Sequence, residues 1–306
     1  MRHDTASPRL DKALAYIDAH LDADLSLERL SRVAACSRFH FHRLFRARFG
    51  LSLHQYVRLC RLRRAGERLA FRRCSVLDIA LDSGYRSPEA FARAFRQASG
   101  QTPSAFRRRP RWLPWHQHFH ALFQLRSLSM PSRPIPFAVD IVDFPATPVA
   151  LLEHRGDPAL MGDSLRDFIA WRRENRLPPS AAATYNLLYE DPENCAPADY
   201  RFGLCAAFDG PIAANRQGVR AAQIPAGRCA RLRHIGSDDA LATVARRLYV
   251  EWLPASGETP RDFPLFLQRI RFYPDVAENE AVCDLFLPLQ TPTPAPKIDS
   301  IPTFKQ

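Results

Sequence analysis

The chain has 306 residues, 46% of them hydrophobic and 25% charged, which suits two ordinary domains and excludes a wholly disordered polypeptide. It has no apolar run long enough for a membrane span and no signal-peptide pattern, so we expect a cytoplasmic protein. The net charge of +11 is uneven, because residues 1–130 carry 24 Lys and Arg against 10 Asp and Glu. This distribution predicts a polyanion-binding domain followed by a near-neutral domain with another task.

The first 109 residues are predicted to be helical throughout. Apolar periodicity and capping residues delimit helices at about 10–21, 27–34, 37–50, 53–70, 75–82 and 87–100. Ser26, Ser37 and Ser87 are typical N-caps, and Gly50 and Gly100 are typical residues just past a helix end.

This helical segment contains an internal repeat with a displacement of fifty positions. Six residues recur: Ser37, Phe41, Arg43, Phe45, Arg46 and Gly50 return as Ser87, Phe91, Arg93, Phe95, Arg96 and Gly100. Each copy predicts a short helix, a tight turn, a cap and a second helix, which is a helix-turn-helix. Two copies joined by one long helix are expected to present both second helices on the same side.

The second helix of each copy is expected to have one buried and one DNA-facing side. In the first copy, Phe41, Leu44, Phe45 and Phe49 are expected to face inward, and the arginines with His42 and Phe39 are expected to face outward. Arginine can donate two hydrogen bonds to guanine in the major groove. The candidate DNA contacts are Arg38, Phe39, His42, Arg43, Arg46, Arg86, Glu89, Arg93 and Arg96. Further arginines around both copies are expected to reach phosphates: Arg58, Arg61, Arg63, Arg64, Arg72, Arg73 and 107–109.

The second copy looks poorer in base-reading side chains. Glu89 and Ala92 replace Phe39 and His42. We therefore expect the second helix to position the protein through phosphates more than to read sequence.

The words LSRVAACSRFHFHRLFRARFGLSLHQYVRLCRLRRA and SVLDIALDSGYRSPEAFARAFRQASGQTPSAFRR closely resemble the AraC/XylS family of transcription regulators. The resemblance covers residues 8–109 and implies a monomer that sets two recognition helices into successive major-groove segments. Family base-contact positions fall on Phe39, His42, Arg43, Pro88, Glu89 and Arg93. Ala35 stands where the family usually has a turn glycine, so a positive φ is expected there.

Residues 110–136 hold several prolines and are predicted to form a linker with one short hairpin around 119–128. Residues 137–290 show strand periodicity and a second repeat with a displacement of eighty, in which His154 and Gly156 return as His234 and Gly236. Each half is predicted to run strand, strand, helix, strands, giving an α+β domain. Residues 291–306 are proline-rich and expected to be disordered. The predicted fold class is therefore multidomain, with an all-α double helix-turn-helix domain before the α+β domain.

YEDPENCAPADYRFGLCAAF, IPAGRCARLRHIG and the closing DLFLPL resemble the GyrI-like effector-binding domain, a tandem pair of βαββ units. The resemblance implies a small-molecule cleft between the halves, and the candidate lining residues are Trp171, Tyr189, Trp252, Phe272 and Tyr273. Relatives usually place a glutamate in a Pro-x-Phe-Glu-x-Tyr segment. Here the segment from Pro264 to Arg269 lacks it, so a neutral or anionic ligand is expected, or none.

The sequence gives only a weak indication of a metal site. His116, His118 and His120 alternate as on one face of a strand, but no carboxylate or thiolate accompanies them at fixed spacing, so no metal or other cofactor is expected.

The leading hypothesis is a non-enzymatic, sequence-specific transcription regulator whose second domain senses a small molecule. Its expected partners are double-stranded promoter DNA, an effector and RNA polymerase. The alternatives are a GyrI-like hydrolase tethered to DNA, which needs a cleft carboxylate with a perturbed pKa, and a protein-interaction module.

Overall fold

The computed structural model describes residues 8–129, 138–192 and 194–291. The N-terminal half consists of eight α-helices within that range: α1 Pro8–Ala19, α2 Leu27–Val33, α3 Arg38–Phe49, α4 Leu53–Phe71, α5 Val76–Asp82, α6 Pro88–Ser99, α7 Pro103–Arg108 and α8 Trp112–Ser129. The pairs α2–α3 and α5–α6 are the two helix-turn-helix units, and α4 joins them. No helix in the described residues is long and apolar enough to cross a membrane.

The predicted caps are confirmed. The hydroxyls of Ser37 and Ser87 accept the backbone N–H groups of His40 and Ala90, three residues on. Gly50 and Gly100 end their helices in the left-handed conformation, with φ of 66° and 69°.

The turn of each helix-turn-helix also requires a positive φ. In the first unit Ala35 adopts φ 49°, as expected from its place in the motif, and in the second unit Gly84 adopts φ 77°. Alanine is strained in this region because its Cβ approaches the backbone, whereas glycine is not.

One aromatic core holds both units together. Phe41 and Phe91 are fully buried, and Phe45 packs edge-on to Tyr56 of α4, with ring centroids 5.3 Å apart. The same core continues into α8, whose Trp115 lies 5.0 Å from the Phe106 ring. The helical half therefore extends to residue 129.

Helix α8 corrects the predicted linker hairpin. Trp112, Trp115, Phe119 and Leu122 are buried at helical spacing, and they pack against the preceding helices. Pro114 lies in the first turn, where a missing N–H costs nothing. Three prolines of the predicted linker, Pro131, Pro134 and Pro136, and the tail from 292 onward lie outside the described residues.

The second half is one eight-stranded antiparallel sheet with helices on one face. Its strands are β1 Val139–Phe144, β2 Thr147–Arg155, β3 Thr184–Leu188, β4 Arg201–Ala207, β5 Arg220–Ile224, β6 Gly227–Ile235, β7 Leu265–Arg271 and β8 Val282–Pro288. Its helices are α9 Met161–Glu174 between β2 and β3, and α10 Leu241–Arg247 with α11 Leu253–Ser256 between β6 and β7. Each half thus has the predicted order of strand, strand, helix and two strands.

The strand order β1-β6-β8-β7-β3-β4-β2-β5 shows how the halves are joined. The counterparts in the two halves are β1 and β5, β2 and β6, β3 and β7, and β4 and β8. Exchanging each strand for its counterpart gives the same order read from the other edge of the sheet. The first strand of each half pairs with the other half, since β1 is antiparallel to β6 and β5 is antiparallel to β2. The remaining strands of each half form a βαββ unit, as the repeat predicts.

The sheet buries three apolar clusters. One lies under α9 around Phe168 and Trp171, and another lies under α10 around Val244 and Leu248. The third lies on the opposite face, which we call the helix-free face.

The two halves of the chain dock through buried charges. Arg126 of α8 donates to Asp18 of α1 at 2.9 Å, to Asp239 at 2.8 Å and to Glu278. Arg63 of α4 donates to Asp239 at 3.0 Å and also pairs with Glu278. These five residues, the interdomain charge cluster, unite three helices of the first half with two short 3-10 helices of the second. A buried cluster of this kind holds only while every charge keeps its partner.

Candidate DNA-reading face and ligand site

Helix α3 separates its residues cleanly into two faces. Phe41, Phe45 and Phe49 are 0%, 1% and 3% exposed, so they anchor the helix in the core. Arg38, Phe39, His42, Arg43 and Arg46 are all exposed, as expected. Leu44, expected inward, is instead 38% exposed because it lies at the edge of the buried stripe.

The exposure of Phe39 is unusual. The residue is 81% exposed in the first turn of α3, beside Arg38 and Arg43. Exposing a large apolar ring to water on a basic helix face does not stabilise the protein. In a major groove, however, such a ring could contact a thymine methyl.

Helix α6 presents a similar but more polar face. Arg86, Glu89, Arg93 and Arg96 are exposed, while Phe91 and Phe95 are buried. Hydrogen bonds from its own backbone N–H and from the Ser87 hydroxyl lower the pKa of Glu89, so it is a carboxylate at neutral pH. A carboxylate can accept from the cytosine amino group, and it repels phosphates. Pro88, at the other family base-contact position, is exposed at the start of the helix.

Several arginines expected at phosphates have structural partners instead. Arg61 donates to the carbonyls of Leu21 and Ala23, at 2.7 and 2.6 Å. Arg63 belongs to the interdomain charge cluster, and Arg72 pairs with Asp275 of the second half at 2.5 Å. The sequence shows that these residues are basic, but only tertiary packing shows which of them are already engaged.

A surface cavity of about 550 Å³ borders the second helix-turn-helix unit. It lies between α4 and α6, and Arg58, Arg61 and Arg93 line it together with His54 and Tyr85. Arg58 donates to Gln97 across it at 3.0 Å. Arg58 and Arg93 give it a basic character, which suits a phosphate group.

The five residues expected to line the effector cleft do not come together. Trp171 of α9 is 3% exposed and packs against the sheet, and Trp252 packs in the other helix-covered cluster. Tyr273, which follows Phe272 after β7, contacts Glu67 of α4. Only Tyr189 packs against the helix-free face.

The centre of the helix-free face is filled by the chain's own side chains. Phe144 of β1 lies 4.9 Å from the Phe266 ring and 6.0 Å from Tyr185 of β3. Three strands separate β1 from β3, which in a flat sheet would put them roughly 19 Å apart. The sheet is therefore strongly curled. Phe144 and its repeat counterpart Ile224 are 7% and 0% exposed.

Beyond this apolar centre, one end of the helix-free face is charged. Glu153 of β2 is only 8% exposed and accepts from Arg155, Arg201 and Arg220, at 2.7, 2.8 and 3.3 Å. Burial acts to raise the pKa of Glu153, but the arginines outweigh it, so the pKa is lowered. The guanidinium carbon of Arg201 lies 4.2 Å from the Tyr189 ring centroid. Sequence repeats did not single out this cluster because its members lie on three strands.

The three alternating histidines lie on α8, not on a strand. His116 and His120 are therefore one turn apart, and His118 points elsewhere. His116 stacks on Phe123 with ring centroids 5.6 Å apart, and burial lowers its pKa. Within the described residues, no three His, Cys, Asp or Glu side chains come together as a metal site.

Comparison with known proteins agrees with both halves of this description. Residues 137–290 match the GyrI-like small molecule binding domain, and residues 30–109 match a helix-turn-helix domain of the AraC type. Since the GyrI-like match spans half of the chain, the protein belongs to the GyrI-like family. Its helix-turn-helix half makes it a transcription regulator that combines AraC-like DNA binding with a small-molecule-binding domain.

Individual relatives each resemble one half. The probable transcriptional regulator YgiV of Escherichia coli (strain K12) is 37% identical over 152 residues, which is 49% of this chain and 95% of YgiV. The regulatory protein SoxS of the same strain is 34% identical over 96 residues, 31% of this chain and 90% of SoxS. The crystal structure of the AdpA DNA-binding domain in complex with a target DNA has 32% identity and a TM-score of 0.32, covering 34% of this chain and 97% of that one.

Proposed function

We propose that this regulator reads its promoter mainly through α3 and positions itself through α6. The exposed ring of Phe39 among the arginines of α3 is the observation that carries this assignment. In the proposal, Phe39, His42 and Arg43 contact base edges, while Arg38 and Arg46 contact flanking phosphates. On α6, Arg93 and Arg96 contact phosphates, as does Arg86 just before the helix, and Glu89 disfavours sequences that bring a phosphate near it.

The small-molecule signal is proposed to pass through α8. This helix packs on α6 and α4 on one side and on the short helices after β2 and β6 on the other. Its Arg126 sits in the interdomain charge cluster, and its Trp112 donates to Asp163 of α9 at 2.9 Å. A ligand that changes the curl of the sheet would shift these contacts and so the spacing of α3 and α6. Coupling requires that the ligand bind the two arrangements with different affinity.

Two variants on α3 and α6 test the division of labour. Arg43→Ala is expected to cost about 1–3 kcal/mol on the specific site and to relax base preference at one position. Arg96→Ala is expected to weaken specific and random DNA alike and to flatten the dependence on salt. The measurement is fluorescence anisotropy on upstream DNA of the gene, with random duplex as competitor. Equal losses on both DNAs for Arg43→Ala would show that α3 is not the reading helix.

Catalysis is not part of the proposal. The hydrolase alternative needs a cleft carboxylate held protonated or poised near neutral pH, whereas the pKa of Glu153 is lowered and three arginines engage it. The interaction-module alternative gains some support from the filled centre of the helix-free face, since a ligand there would have to displace Phe144. RNA polymerase is the protein partner expected for an activator, and transcription with purified polymerase tests that contact. The proposed location is the cytoplasm.

A further inference from the structure

The charged end of the helix-free face has an unusual strand register. Arg155 of β2 is directly opposite Arg201 of β4, and on the other side of β2, Leu151 is opposite Arg220 of β5. Like charges directly opposite each other on paired strands repel. Glu153 lies between them and is the shared partner of all three arginines.

One carboxylate does not balance this cluster. Glu190 is a second acidic group at the cluster, and it accepts the backbone N–H of Arg201 at 2.8 Å. Three arginines against two carboxylates leave an excess positive charge. The arginines remain accessible, since their side chains are 68%, 36% and 59% exposed in the order Arg155, Arg201, Arg220.

The guanidinium of Arg201 is held in place rather than free to swing. Its Nε donates to Glu153 at 2.8 Å and its plane lies over Tyr189. Its two terminal nitrogens have no partner in the described part of the chain. A fixed guanidinium fork with open donors is the geometry that binds a carboxylate or phosphate with two hydrogen bonds.

The other half of the domain lacks this excess. Arg233 occupies the position of Glu153 in the eighty-residue repeat, and it pairs with Asp284 at 2.7 Å. Its neighbour on the same face, Arg231, pairs with Asp140 at 2.8 Å. These charges cancel, so the positive excess is a feature of one end of the face and not a requirement of the fold.

We infer that Arg155, Arg201 and Arg220 bind the anionic group of a small organic acid, either a carboxylate or a phosphate. The inference rests on the proposed ligand-sensing role of this domain and gives it a ligand class. In the complex, Arg201 provides the fork, Arg155 and Arg220 complete the charge balance, and Glu153 keeps the three side chains converging. The bound anion relieves the repulsion between Arg155 and Arg201.

Calorimetric titration of the full chain tests the inference. Benzoate, phenyl phosphate, inorganic phosphate and the neutral benzamide are compared at constant ionic strength. The protein is first saturated with a duplex, so that the basic helical half is occupied. We expect at least one organic anion to bind, benzamide to bind at least tenfold more weakly, and the preference between carboxylate and phosphate to identify the group.

Matched variants locate the site. Arg201→Gln is expected to reduce anion affinity at least tenfold, and Arg233→Gln, at the neutral end, is expected to leave it unchanged. If Arg201→Gln unfolds, Arg220→Gln at a more exposed position takes its place. The inference is overturned if no anion binds, if benzamide binds as well as benzoate, or if the variants at both ends lose affinity equally. DNA binding is measured separately, so failure here leaves the Arg43→Ala test intact.

Discussion

At the scale of single residues, Ala35 shows a conformational cost built into the first helix-turn-helix. Its φ of 49° lies in the region where a Cβ is strained, and the equivalent turn of the second unit uses Gly84. The turn still forms, because α2 and α3 are held by the aromatic core on both sides of it.

Replacing Ala35 by glycine should therefore stabilise the protein. We expect a gain of roughly 0.5–1 kcal/mol, since relief of strain exceeds the extra freedom of glycine in the unfolded chain. Ala34→Gly is the matched control, because Ala34 is buried with φ −75° and should lose roughly 0.5–1 kcal/mol. Chemical denaturation measures both. An Ala35→Gly variant as unstable as Ala34→Gly would show that the turn is not strained.

Residue-scale predictions from the sequence succeeded where the signal is local. A serine just before a helix accepts a backbone N–H of the first turn, and a glycine just past a helix end adopts a left-handed conformation, whatever packs around them. The caps at Ser37, Ser87, Gly50 and Gly100 were therefore predictable. Burial of a charge is not local. Arg63 has the same sequence appearance as Arg58, which is exposed, yet Arg63 is 4% exposed because its carboxylate partners come from residues 239 and 278.

At the scale of elements, the contact of α4 with the segment after β7 buries the carboxyl group of Glu67, which disfavours its ionised form. Glu67 of α4 has one carboxylate oxygen buried without a hydrogen-bond partner in the described residues. Burial raises its pKa to about 7, although Arg63 and a hydrogen bond with Tyr273 act to lower it. The carboxyl is thus protonated in the folded protein under conditions where the unfolded chain has ionised it.

This pKa gives a signed pH dependence. Stability from protonated Glu67 is complete below about pH 4.5, the ordinary pKa of a glutamate, and is lost as the pH rises to about 7. Glu67→Gln removes that loss, so its thermal midpoint should exceed that of the natural protein at pH 8 and approach it near pH 5. The difference at pH 8 corresponds to roughly 3 kcal/mol. Glu28→Gln, on the exposed surface of α2, controls for general charge effects, and parallel pH curves for Glu67→Gln would refute the shift.

Helices and strands were predictable where the apolar periodicity is strong. The sequence pattern was misleading where prolines interrupt it. The order of strand, strand, helix and strands in each half follows from alternation and from the eighty-residue repeat, and the structure has that order. Helix α8 was missed because its first turn contains Pro114 and its histidines alternate as they would on a strand. The aromatic residues named for the cleft were scattered because aromatic character does not show on which face of the sheet a side chain lies.

At the scale of the whole molecule, the interdomain charge cluster makes the two halves one mechanical unit. Arg126 is 1% exposed, and its partners Asp18 and Glu278 are 2% and 3% exposed. Breaking such a buried cluster costs far more than its formation gains, because the remaining charges stay buried without partners.

Arg126→Ala should therefore uncouple the halves. We expect a loss of about 3–5 kcal/mol and a calorimetric unfolding profile that separates into two transitions where the natural protein shows one. Arg32→Ala removes a surface pair with Glu28 whose side chains are 75% and 64% exposed, and it should cost no more than about 1 kcal/mol. A thermogram of Arg126→Ala that coincides with that of Arg32→Ala would mean that the halves are held together by other contacts.

The exchange of β1 and β5 between the two halves of the sheet also governs the order in which parts of the protein can fold during synthesis. Residues 139–144 leave the ribosome early, but their partner strand ends at residue 235. About ninety residues must be synthesised before β1 can pair, which at 5–20 residues per second takes roughly 5–20 seconds. During that interval the helical half, complete by residue 129, is available to fold on its own. The nascent chain can thus acquire a DNA-binding shape before it acquires the domain that regulates it.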